Sequence, residues 1–164
     1  MTAPHVPAQN ANTAPPAGAD FALERYKYIL QQIHALNENV YRFLAIFQTL
    51  ATALVAAALT VFVSYKKWGI APATAKSGIL GLLILETLIA CFAMLLIFIG
   101  ILSWLDYRNE ECELTDEYAC IGFRKPPRTG SFFRWYETYI ILFIAGSTIF
   151  MWTTAALFLM PSIV

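Results

Sequence analysis

Charge is scarce in this chain, and what there is cancels. Only 13 % of the 164 residues are charged, with eleven Lys plus Arg against eleven Asp plus Glu. A soluble domain carries about a quarter. With no net field of either sign, nothing recruits nucleic acid or an acidic substrate. Cysteine is equally sparse: Cys91, Cys112 and Cys120 form neither a CxxC pair nor an even set. Neither a zinc site nor a disulfide framework is signalled, and reduced thiols are expected. His5 and His34 have no second His or Cys at ligand spacing. No GxSxG, HExxH, Walker A, GxGxxG or CxxCH motif occurs, so nothing points to an enzyme, a cofactor or a metal. The opening MTAPHVPAQNANTAPPAGA lacks the basic start and apolar core of a secretory signal.

What is abundant is apolar side chain, 59 % of the total. The Pro- and Ala-rich residues 1–19 have nothing to bury and read as a disordered tail. From Asp20, a candidate N-cap, Ile29, Ile33, Leu36, Val40, Phe43 and Phe47 recur at spacings of three and four, the seam of an amphipathic helix over 20–42. No helix stop separates it from the uncharged run 43–65, the first transmembrane helix. A continuous helix over both would measure roughly 68 Å, twice the hydrocarbon thickness, so about half of it projects into water. Residues 66–77 form an external loop with Gly69 and Pro72 at the turn. The second span covers 78–104, and 105–138 holds a charged helical extension, a basic turn and an interfacial helix capped by Ser131. The third span covers 139–160, Pro161 ends it, and 161–164 form an external tail. The fold class is therefore an all-α membrane protein with three transmembrane helices, the first two extended into a helical portion outside the bilayer.

Orientation follows from counting Lys and Arg. Arg25, Lys27, Arg42, Arg108, Arg124, Lys125, Arg128 and Arg134 share one side, against Lys66, Lys67 and Lys76 on the other. The positive-inside rule places the N-terminus and loop 105–138 in the cytoplasm and the C-terminus outside.

Glu86 is the most informative single residue, an ionisable group inside a span. Its insertion costs about 2.5–3.5 kcal/mol, while each Leu, Ile and Phe around it returns roughly 0.3–0.6 kcal/mol, so the span inserts. Counting to equal depth from the end of the third span reaches Trp152, Thr153 and Thr154, the expected partners of a neutral Glu86. The alternative is a role in ion or proton passage. Ala45, Thr49, Ala53, Ala56, Ala57 and Thr60 put small side chains on neighbouring turns of the first span, which permits close backbone approach, within the chain or between subunits. Gln48 is expected to hydrogen-bond between helices. The group Glu110, Glu111, Glu113, Asp116 and Glu117 lacks the ligand alternation and turn glycine of a calcium loop and reads as a solvated helix face. Trp135, Tyr136 and Tyr139 suit an aromatic belt, and Arg124, Lys125, Arg128 and Arg134 suit contact with anionic lipid headgroups.

The amphipathic helix feeding the first span, the charged hairpin after the second, and GFRKPPRTGSFFRWYETY leading into the third together resemble the small bacterial RipA family octameric membrane proteins. The resemblance covers about residues 21–160. It implies a homo-oligomer of the bacterial cytoplasmic membrane, a ring of eight, whose molecular activity the family name does not specify. The layout is also similar to the two-span SLATT effectors, from which the third span and the loop before it depart. Three functions stand open: a homo-oligomeric assembly or scaffold without catalytic chemistry, an oligomeric channel using Glu86, and an accessory subunit packed on unlike membrane proteins.

Overall fold

The computed structural model describes residues 18–127 and 135–164. Among them there is no strand. Helix α1 spans Ala19–Ser64 (46 residues) and α2 spans Pro72–Tyr118 (47 residues). Helix α3 spans Tyr136–Thr154 and runs on through a π-helical turn, Ala155–Leu159, to a last turn, Met160–Ser162. All three are long and apolar enough to cross a bilayer. At 1.5 Å per residue α1 and α2 each measure about 70 Å, so roughly half of each extends beyond the hydrocarbon.

The helix ends follow local chemistry. Gly18 takes a positive φ of 110° just before α1, which leaves Asp20 in the first turn beside the positive end of the helix dipole rather than at the cap. Pro72 lies in the first turn of α2, where its missing N–H is an orphan anyway. That helix therefore begins six residues before Gly78, where the sequence put the start of the span. After α2 the Gly122 N–H donates to Asp116 Oδ1 at 2.8 Å, and Gly122 adopts a φ of 80°. Pro161 does not stop α3, which continues to Ser162. The widened turn just before it relieves the clash that a proline ring makes with the carbonyl four residues earlier. Ser131, the expected cap, and the tail 1–17 lie outside the described residues.

α1 and α2 pack antiparallel along their full lengths, and α3 packs on α2, while α1 and α3 make little contact with each other. The buried positions of α1 are Ala22, Ile29, Val40, Phe47, Ala58 and the flanking Tyr65. Their spacing alternates seven and eleven residues, and eighteen residues is five turns of 3.6, the repeat of straight helices. The expected seam is seated in the same contact: Ile29 and Val40 are buried, and Ile33 and Leu36 are half-buried. On α2 the buried stripe runs Ala75, Ile79, Leu83, Glu86, Ala90, Ala93, Ile97 and Ile101 and resumes at Glu111, Cys112 and Thr115.

Ile29 is fully buried where the two helix extensions meet. Replacing it with Ala should cost about 2–5 kcal/mol, read as a lowered thermal unfolding midpoint. Leu30→Ala, on the exposed face, should change stability by less than about 0.5 kcal/mol.

Candidate functional site

Two carboxylates of α2 are buried, and they sit in opposite surroundings. Glu86 is 2 % exposed, enclosed by its own chain. Its Oε1 accepts a hydrogen bond from Thr148 Oγ1 at 3.1 Å, and its Oε2 has no partner among the described residues. The expected partners lie one turn further along α3. Trp152 Nε1 donates to Thr87 Oγ1 at 2.9 Å, and Thr153 Oγ1 donates to the Ile149 carbonyl of its own helix at 2.8 Å. The offset comes from the helix ends. Glu86 lies fourteen residues after Pro72, the first residue of α2, and fourteen residues back from Ser162, the last of α3, is Thr148.

Glu111 has no exposed surface, in contrast to the solvated face expected for its acidic segment. Arg108, one turn earlier on α2, bonds Glu111 Oε2. Arg124, from the chain beyond α2, places Nε 3.1 Å from Glu111 Oε1. The Tyr26 hydroxyl of α1 makes a long hydrogen bond of 3.5 Å to the same oxygen. Next to it Arg25 Nε donates to Glu110 Oε1 at 2.7 Å. A hydrogen bond to Tyr26 and then the charge of Glu111 hold Arg124 above the ordinary guanidinium pKa, so it stays cationic. Arg108 also lies over the Trp104 ring, 5.7 Å from its centroid, and Arg25 over Tyr28 at 5.2 Å.

This cluster joins the end of α2, the start of α1 and the loop that follows, and it changes the role of Arg124. The side chain is turned to Glu111 rather than free for a lipid headgroup. Lys125 is exposed, and Arg128 and Arg134 lie outside the described residues. Trp135 packs edge-on against Trp104 with centroids 5.7 Å apart, and Tyr136 stacks on Tyr41 at 5.7 Å.

The small-residue stripe of α1 faces away from the rest of the chain: Ala45, Thr49, Ala53, Ala56, Ala57 and Thr60 are all exposed. Thr49 and Thr60 bond carbonyls of their own helix, at Ala45 and Ala56, at 2.9 and 2.7 Å. Gln48, on the same side, is exposed and has no hydrogen-bond partner among the described residues. The stripe and the seam thus lie on different faces, and only the seam is covered by α2.

No protein-family model, curated protein or solved structure matches the chain.

Glu111→Ala leaves two guanidiniums without their shared partner. It should destabilise the protein by about 3 kcal/mol, the lower end for a broken buried pair because both arginines reach water. The double change Arg108→Met with Glu111→Leu should recover most of that loss. Thermal or chemical unfolding of the three proteins in one detergent checks both.

Proposed function

We propose that this chain is a homo-oligomeric integral membrane protein of the bacterial cytoplasmic membrane, with an assembly or scaffold role and no catalytic chemistry, built like the octameric RipA proteins it resembles. The observation that carries the reading is the outward face of α1, where Gln48 stands among Ala45, Thr49, Ala53 and Ala56 with no partner among the described residues. An unpaired amide in hydrocarbon costs several kcal/mol. A second copy of α1 supplies both the amide's partner and a surface its small side chains can approach closely. The seam of α1 is not available for this, since α2 occupies it.

The position of Glu86 favours assembly over a carboxylate-lined pore. A lumen between subunits needs its charged ring on the outer face of each protomer, whereas Glu86 points among the helices of one chain. The excess of Lys and Arg on the side of the N-terminus and of loop 105–138 supports a cytoplasmic location for both.

Native mass measurement in mild detergent and in nanodiscs should give a single species larger than a dimer and containing only this chain. A monodisperse monomer, or a species retaining unlike subunits, would exclude the proposal. Ala53→Leu with Ala57→Leu should shift the mass towards monomer, and Gln48→Leu should do so by removing about 1–2 kcal/mol per contact. Single cysteines at Thr13, Thr129 and Ser162, in a background lacking the natural three, report topology on intact cells. An impermeant thiol reagent should label position 162 alone, and labelling at 13 or 129 instead reverses the orientation.

A further inference from the structure

Where the three helices leave the hydrocarbon on the side of the N-terminus, a cavity of about 300 Å³ remains between them. Ile101 of α2 gives it apolar surface, and the rings of Trp104, Trp135 and Tyr136 line it. Trp104 and Trp135 meet at 64° with centroids 5.7 Å apart, so the two indoles make adjoining walls rather than a stack. Asn37 of α1 and Glu137 of α3 complete the lining, and part of the open wall is polar. Both residues are half-buried rather than enclosed. Glu137 is the one charged residue in the lining. The Tyr136 hydroxyl donates to it, but no Lys or Arg pairs with it among the described residues. Asn37 and Glu137 precede the apolar runs that begin at 43 and 139, by about 9 and 3 Å of helix. That is the level of the headgroups, a layer roughly 5–7 Å deep on each side of the hydrocarbon.

We propose that this cavity binds the primary ammonium headgroup of a membrane lipid of the phosphatidylethanolamine class, with the ammonium against the indole walls and its N–H groups on the Glu137 carboxylate and the Asn37 side-chain oxygen. Aromatic faces attract cations. The protein already uses one of these rings in that way, since Arg108 lies over Trp104 at 5.7 Å with its own charge taken up by Glu111. A primary ammonium has three donors and no acceptor, which suits a wall that offers a carboxylate and an amide oxygen beside the rings. A quaternary ammonium would meet the rings but donate to neither acceptor. A glycerol headgroup brings no positive charge to Glu137. The bilayer is the source because the cavity lies at headgroup depth, where lipid ammonium groups are locally concentrated. All of the lining comes from one chain, so the site does not depend on the oligomeric state.

The full chain is placed in nanodiscs holding equal parts of phosphatidylethanolamine, phosphatidylcholine and phosphatidylglycerol with identical acyl chains, and the lipid it retains is counted by native mass spectrometry. One phosphatidylethanolamine per chain should be held, roughly tenfold in preference to either of the others. Glu137→Gln keeps the shape and should abolish that preference, and Asn37→Leu should weaken it. Glu38→Gln removes an exposed carboxylate one residue from Asn37 but outside the cavity, and should leave retention unchanged. Equal retention of the three lipids, or the same preference in wild type and Glu137→Gln, would overturn the site. A loss in Glu38→Gln as large as that in Glu137→Gln would also overturn it, because the effect would then be one of surface charge. Phosphatidylcholine held as well as phosphatidylethanolamine would overturn the role of the N–H donors. Free ethanolamine in molar excess should leave the lipid in place, and its displacement would overturn the bilayer as the source.

Discussion

Everything in this molecule hangs on one continuous face of α2. α1 and α3 both lie on it and barely on each other, so neither has a fixed position except through that face. The constraint runs from Ala75, at the start of α2, to Thr115, one turn from its end. At one end Tyr65, Ala75, Ile79, Ala155 and Ile163 close a small apolar cluster. In the middle Val40, Phe47, Ala90, Ile97 and Ile144 form a second. At the far end the packing turns polar, and the buried Glu111 takes over from aliphatic side chains. Each end needs a different kind of adhesive because its surroundings differ. Inside the bilayer helices associate by close packing, whereas outside it apolar burial and paired charge are both effective.

The two buried carboxylates show the same division. Glu111 is out of water yet has a charge-assisted hydrogen bond from Arg108, an ion pair with Arg124 and a long bond from Tyr26, so its burial is compensated and it ties three segments together. Glu86 has one neutral hydroxyl. A group left half-satisfied at that depth is costly to keep, and its partner Thr148 lies in the regular part of α3, ahead of the π-helical turn that begins at Ala155. The first arrangement fits a structural anchor, and the second leaves one enclosed acceptor unused among the described residues.

Much of the architecture was legible before any coordinates. The uncharged runs marked three membrane-long helices, the absence of any stop after Asp20 marked a helix continuous into the first span, and the spacing from Ile29 to Phe47 marked the face that packs. The register was legible too, although no single segment displays it. If the chain folds back around residues 66–71, residues whose numbers sum to about 137 face each other, which pairs Val40 with Ile97, Phe47 with Ala90 and Tyr26 with Glu111. Reading the acidic segment by itself missed this, so Glu111 was placed in water and Arg124 on lipid. The depth of Glu86 was misjudged for a related reason. Pro72 was assigned to the turn and Pro161 to the end of the third span, although proline is well tolerated in a first turn and a π-helical turn accommodates it near the end of α3.

The central claim is that α1 and α2 remain one antiparallel hairpin well past the membrane surface, held there by Ile29 and the Glu111 cluster. Hydrogen–deuterium exchange of the protein in nanodiscs measures this directly, residue range by residue range. Amides of 22–42 and 105–118 should exchange slowly and to a similar extent, because each helix protects the other. Exchange of 22–42 at the rate of an unfolded chain, with only the apolar runs protected, would contradict the account.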